Sequence, residues 1–218
     1  MHNKILQIDL ERTDIIKIVK FMKKNLYVIR HGETMYNLEY RWQGCGLDAV
    51  LNENGERQAA ELAKNVQNLG FEVLYCSPLI RAVQTANEIA RQSEKDLPIV
   101  ILQDLREGNF GEAEGHTFDE VRAMFGDEFV ENVCWPTYEN WNIRFPGGES
   151  KREIFGRVLH CIDQIVNKNN AIVGIVCHAG VMSALKCGLG LKNTPNGNCS
   201  VLHLQYDTQT REFVQIFD

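Results

Sequence analysis

Short apolar runs alternate with amphipathic stretches along most of this chain, and the alternation predicts an α/β sandwich with a mostly parallel sheet. The chain has 218 residues, 44% of them apolar, which is enough for one sizeable core. Helix-stop and helix-start residues stand where the runs change, at Gly70, at Ser77-Pro78 and at Ser150.

Residues 1–24 stand outside the alternation. Thr13 can cap a short helix whose Ile15, Ile16, Val19 and Met22 share one face. The stretch is either an amphipathic extension or sequence upstream of a natural start at Met22, and the domain proper is expected over 25–218. Leu26-Tyr27-Val28-Ile29, ending at Arg30-His31-Gly32, predicts a buried strand. Residues 52–69 carry Ala59, Leu62, Ala63 and Val66 at helical spacing and stop near Gly70. Phe71 to Cys76 is a second strand. Ser77-Pro78 then predicts a helix start, with Ser77 as N-cap and Pro78 in the first turn, running through Ala82, Val83, Ala86 and Ile89. Ile99 to Leu102 is a third strand. Ser150-Lys151-Arg152-Glu153 fits a capping box opening a helix to about Val166. Ala171 to Cys177 is the most apolar strand and is expected at the sheet centre. A helix over 180–189 and two strands, 201–206 and 212–217, complete the pattern.

Composition narrows the function classes. Lys and Arg total 23 against 29 Asp and Glu, a net charge of −6, which argues against general nucleic-acid binding but not against one local basic pocket. With 5 Pro and 17 Gly, the chain is neither collagen-like nor largely disordered. The 7 Cys include no C-x-x-C pair, and several stand in apolar runs. They are expected to be small buried residues of a reduced, cytoplasmic protein. No secretory signal is visible and no run approaches the ~18 apolar residues of a membrane span.

In open α/β sheets, ligands bind beyond the carboxyl ends of the strands. The residues that follow these strands are Arg30 and His31, then Ser77 and Arg81, then Glu107, then His178, Ala179 and Gly180. Taken singly, a histidine after a strand is a hydrogen-bonded structural residue, Arg81 a solvated charge and Glu107 a loop carboxylate. Together, four strand ends would collect two His, two Arg and one Glu. Two guanidiniums can hold a phosphoryl group by forked hydrogen bonds. One imidazole can attack phosphorus, the other can stabilise the spreading charge, and a Glu can protonate a leaving alcohol. A metal site at His31 and His178 lacks a carboxylate or Cys at ligand spacing.

The chain resembles the histidine phosphatase superfamily, also called phosphoglycerate mutase-like. The segment Tyr27-Val28-Ile29-Arg30-His31-Gly32-Glu33-Thr34, followed by Asn37 and Gln43-Gly44, is similar to its signature. Three other segments resemble family landmarks in the right order: Ser77 to Ala86, Leu105 to Gly115, and Val176-Cys177-His178-Ala179-Gly180. Phe145 to Ser150 is a further one, and the match covers about 25–217. The resemblance implies a three-layer α/β/α sandwich with a helical lid inserted before Phe145. It implies that His31 is the nucleophile, that Arg30, Arg81 and His178 bind the phosphoryl group, and that Glu107 is the general acid and then the base. Asn37, Gln43, the amide near Gly44 and the amide of Ala179 would complete the pocket, and no metal is expected. Tyr36 stands where many members have Trp, Ala179 where Gly is frequent, and Cys45-Gly46-Leu47-Asp48 is one residue longer than the usual spacing.

Residues 108–148 are expected to form the lid. They hold eight acidic residues (Glu112, Glu114, Asp119, Glu120, Asp127, Glu128, Glu131, Glu139) against Arg122 and Arg144. Their eight aromatic rings are expected mostly to build the lid's own small core, with one or two covering an organic leaving group. An acidic lid suits poorly a mutase that must grip a carboxylate and a second phosphate. The expectation is therefore a metal-independent phosphatase that hydrolyses small-molecule phosphomonoesters through a phosphohistidine on His31, without a cofactor. The alternatives are a mutase dependent on 2,3-bisphosphoglycerate and a non-catalytic module that binds a phosphorylated ligand. No nucleic-acid or membrane partner is expected, and the oligomeric state is open.

Overall fold

The computed structural model describes residues 23–217, so the expected helix after Thr13 lies outside the described residues. Strand β1 (Lys23–Arg30) opens two residues before the expected start of the domain. The other strands are β2 (Val73–Cys76), β3 (Ile99–Ile101), β4 (Ile172–Cys177), β5 (Val201–Asp207) and β6 (Phe213–Ile216). They form one sheet in the order β3-β2-β4-β1-β5-β6. β3, β2, β4 and β1 run parallel to one another, β5 pairs antiparallel with β1, and β6 pairs antiparallel with β5. The apolar run ending at Cys177 is a central strand, as its composition predicts.

The helices are α1 (Met35–Leu38), α2 (Glu53–Val66), α3 (Ile80–Arg91), α4 (Phe118–Phe125), α5 (Asp127–Cys134), α6 (Lys151–Val166) and α7 (Ala179–Gly188). Alternation along β1 splits the core between two faces. Leu26 and Val28 pack with Ile154, Val158 and Ile162 of α6 and with Leu185 of α7. Tyr27 and Ile29 pack with Leu62 of α2 and with Ala82 and Ile89 of α3. These are the three layers.

A third cluster forms the lid, where Phe110, Phe118, Phe125, Phe129 and Phe145 gather around Val121 and Val130 and onto Trp42. The Trp42 ring lies 4.8–5.0 Å from those of Phe118, Phe110 and Phe145. Most of the lid rings therefore serve the lid's own core, while Trp135 and Tyr138 are exposed.

The capping box at Ser150 is present as expected: its hydroxyl accepts from Glu153 N–H while the Glu153 carboxylate accepts from Ser150 N–H. The start of α3 differs from expectation. Its N-cap is Leu79, and the Ile80 amide is satisfied from a distance by the Asp48 carboxylate at 2.8 Å. Asp48 also places negative charge at the positive end of that helix. The Ser77 hydroxyl accepts from Leu79 N–H and has a second partner described below. All seven cysteines are free thiols, with Cys76, Cys161, Cys177 and Cys187 buried and Cys45, Cys134 and Cys199 half-buried.

Candidate active site

Register at the sheet's carboxyl edge decides what meets there. Arg30 pairs with Cys177 and Cys76 with Val176, so His31, Ser77 and His178 emerge side by side. The His31 and His178 rings lie 5.1 Å apart, centroid to centroid.

Hydrogen bonds assign the ring protons. His31 Nδ1 lies 2.6 Å from the Gly32 carbonyl, which can only accept, so Nδ1 carries the proton. Nε2 keeps its lone pair and makes no hydrogen bond among the described residues. His178 Nε2 lies 2.7 Å from the Ser77 hydroxyl, which already accepts from Leu79 N–H. With no other acceptor for its proton among the described residues, that hydroxyl is assigned as the donor to Nε2. The His178 ring proton then sits on Nδ1, which is buried without a partner.

Two guanidiniums complete the set. Arg30 donates one Nη to the Asn196 carbonyl, and Arg81 donates to the Leu47 and Gly44 carbonyls, 3.7 Å from Asp48. The Nε of each is buried with no partner, and Arg81 is only 1% exposed. Buried donors without acceptors are rare in folded proteins. Three stand in this site: the Nε atoms of Arg30 and Arg81, which line the same cavity as His31, and Nδ1 of His178, whose ring adjoins that of His31. Asn37 spends its oxygen on Thr34 N–H and Asn198 Nδ2, which leaves its own amide N–H groups to donate. The Ala179 amide opens α7 and the Gly44 amide stands in a turn, neither with a protein partner among the described residues. The +60° φ of Gly44, with the Glu114 carboxylate inside Cβ range, requires glycine there. The arrangement is an anion cradle facing a nucleophile. Gln43 lines the cavity, and its amide oxygen accepts from the Thr34 hydroxyl while its nitrogen donates to the Leu47 carbonyl, which holds the loop.

Glu107 reaches the same cavity. Its two carboxylate oxygens accept from the Gly108 and Gly180 amides at 2.8 and 3.0 Å. A Cβ on residue 180 would stand 2.4 Å from that carboxylate, so only glycine leaves it in place. The Arg157 guanidinium on α6 donates to the carbonyls of Asp104, Arg106 and Glu107 and to the Glu149 carboxylate, which fixes the loop.

The cavity measures about 220 Å³. Beyond the cradle its wall includes four aromatic residues, Trp42, Phe110, Phe118 and Trp135. Glu107 is the one carboxylate that lines it; the eight lid acids do not. The lid acids, whose charge underlay the expectation of a poor fit to a mutase, thus lie outside the cavity wall, and several engage in surface pairs such as Arg122–Glu131.

The family model for the histidine phosphatase superfamily (branch 1) matches residues 26–218. This chain belongs to that superfamily. Among its relatives, the 2,3-bisphosphoglycerate-dependent phosphoglycerate mutase of Bartonella henselae is 33% identical over 171 residues, 75% of this chain and 80% of that one. Phosphoserine phosphatase 1 of Hydrogenobacter thermophilus is 31% identical over 189 residues, 83% of this chain and 86% of that one. The structure of a phosphoglycerate mutase from Bacillus anthracis superposes with a TM-score of 0.79 at 27% identity, covering 90% of this chain and 92% of that one. Histidine phosphatase relatives of this chain thus bear both mutase and phosphatase names.

In this member of the superfamily, both site histidines are held well below their ordinary pKa. For His31 the causes are burial, then repulsion from Arg30 and Arg81. For His178 they are burial, then Arg81, His31 and Arg30. The rings are neutral at neutral pH, the form that a nucleophile needs.

Sequence reading missed several residues. Ser77 was read as a local cap, yet its partner lies 101 residues away. Arg157 and Asn198 carry no motif signal, and Lys151 was read only as part of a capping box. Ser77 has a measurable role. With Ser77→Ala, His178 loses the donor that fixes its tautomer, and kcat/KM for a phosphomonoester should fall about 10- to 100-fold, the scale of one hydrogen bond to a charged group. Imidazole ¹⁵N shifts should show the proton of His178 on Nδ1 in the wild type and on both nitrogens in the variant. Wild-type kinetics in the variant, or an Nε2–H tautomer in the wild type, would contradict the assignment.

Proposed function

We propose that this protein is a metal-independent phosphatase that hydrolyses small phosphomonoesters through a phosphohistidine on His31. The observation that carries the reading is the free Nε2 of His31 in a site where Arg30, Arg81 and His178 each keep a buried nitrogen without a partner. Nε2 attacks phosphorus while the ester P–O bond breaks, and Glu107 gives its proton to the departing alkoxide. The charge on the transferring oxygens falls on Arg30, Arg81, His178 Nδ1, the Asn37 amide and the Ala179 amide. The arginines supply the positive charge that a metal ion supplies elsewhere. Glu107, now a carboxylate, takes a proton from water, the water oxygen attacks phosphorus, and the N–P bond breaks. Inorganic phosphate leaves and His31 is restored.

Cavity size and chemistry support hydrolysis of a small ester. About 220 Å³ lies below the ~300–1,000 Å³ of pockets for drug-sized ligands. Beyond the cradle the wall offers rings, one ammonium and neutral polar groups such as Ser183 and Asn193, and no second pair of guanidiniums to clamp the other phosphate of a bisphosphorylated cofactor among the described residues. The discriminating experiment is a panel of phosphorylated metabolites assayed with and without 2,3-bisphosphoglycerate. Phosphate release that needs no bisphosphoglycerate is expected. Isomerisation without phosphate release, and only when bisphosphoglycerate is present, would establish the mutase instead. Intact folding with no turnover of any kind would leave a ligand-binding module.

A further inference from the structure

Lys186 stands in the last turn of α7 and is only 4% exposed. A cation suits the negative end of a helix, but a lysine kept for that purpose leaves its charge in water. Here the ammonium is taken inward, which costs free energy unless each of its donors finds an acceptor. Burial lowers its pKa.

All its donors go to one short segment. Nζ donates to the Asn196 side-chain oxygen at 2.5 Å, to the Thr194 hydroxyl at 2.9 Å and to the Thr194 carbonyl at 3.2 Å. The segment, 192–196, lies between α7 and β5 and forms neither helix nor strand. Among the described residues its backbone makes no hydrogen bond to other backbone groups. Side chains therefore set its course. Two further bonds join Asn196 to the phosphoryl cradle. Its side-chain nitrogen donates to the Ala179 carbonyl at 3.3 Å, and its own carbonyl accepts from Arg30 Nη1 at 2.6 Å. That carbonyl is the one protein acceptor of the Arg30 guanidinium among the described residues, whereas Arg81 has two carbonyls.

We propose that Lys186 is a positioning residue for the phosphoryl cradle: by binding Thr194 and Asn196 it fixes the 192–196 segment, and the Asn196 carbonyl then holds the Arg30 guanidinium toward the phosphoryl oxygens. A guanidinium is a planar fork, so its orientation decides whether two N–H groups meet two oxygens. An arginine without its anchor would have to lose rotamer freedom each time an anion binds. Lys186 itself touches no substrate; its effect passes through Asn196.

The inference rests on the phosphatase reading for what the cradle holds, and one set of measurements separates their failures. Binding of orthovanadate, an oxyanion of phosphate's shape, is measured by calorimetry on the full chain, and phosphate release is measured from p-nitrophenyl phosphate. Lys186→Met keeps the length of the side chain and removes the ammonium. It is expected to weaken orthovanadate about tenfold, the scale of one hydrogen bond to a charged group. Asn196→Ala removes the side-chain acceptor, keeps the carbonyl that receives Arg30, and should weaken binding to a similar extent. It tests the link even where Lys186→Met misfolds. The double variant should bind no more weakly than either single one, because both break the same link; independent losses would multiply. In an Arg30→Ala background, Lys186→Met should change the Kd by less than about twofold. A lysine that serves only stability would lower Tm and leave the Kd unchanged, or would act equally with and without Arg30. Either result, or multiplied losses in the double variant, overturns the positioning role and leaves the phosphatase reading standing. Vanadate binding that depends on Lys186, without any phosphate release, overturns the phosphatase reading and keeps the link.

Discussion

Alanine in place of His31 is expected to abolish turnover, with a loss of at least about ten-thousand-fold in kcat. Removal of a covalent nucleophile costs this much where the remaining groups act only through it. The second imidazole of the site cannot take its place. The other ring in the site, His178, has its Nε2 committed to Ser77 and its Nδ1 protonated, so it can donate but not attack. The fold should survive, because His31 makes one side-chain hydrogen bond, to the adjacent Gly32 carbonyl. Unfolding of the variant by urea at the wild-type midpoint, together with the loss of activity, would complete the result. Residual activity near the wild-type level would mean that another group attacks phosphorus.

Glu107→Gln is expected to slow esters of poorly acidic alcohols about 10²- to 10⁴-fold, the usual range for a general acid, and aryl esters far less. An alkoxide needs the proton as the P–O bond breaks; a nitrophenolate does not. The variant keeps the size of the side chain and one carbonyl oxygen for the Gly108 and Gly180 amides. The loop also stays pinned by Arg157. A structural effect would therefore slow both ester classes alike, and equal slowing is the result that would remove Glu107 from the proton transfers. The comparison is made on kcat for glycerol 3-phosphate against p-nitrophenyl phosphate.

The sheet and the cradle were legible in the sequence for a shared reason. Buried parallel strands show as unbroken apolar runs, and ligand residues sit next to the ends of those runs. Arg30 and His31 follow β1 directly, and His178 follows β4, so position in the chain gave position in space. Charge counts and local capping signals carried less. The eight lid acids are real, but composition does not record which side of a helix faces the cavity. Ser77 before Pro78 satisfies a helix-start pattern, yet the cap comes from Asp48 and the hydroxyl serves His178. Lys151 follows a genuine capping box, which hid that it is buried. Each of these misses depends on a contact between segments far apart in the chain, and no local pattern encodes such a contact.

The account turns on one nitrogen, and trapping the intermediate tests it most directly. The protein is mixed with a phosphomonoester, quenched within a turnover, digested, and its phosphopeptides are sequenced. The expected result is an acid-labile, base-stable phosphoryl group on the peptide holding Arg30-His31-Gly32, absent from His31→Ala. A phosphoryl group on another residue, or full hydrolysis with none trapped at any quench time, would contradict it.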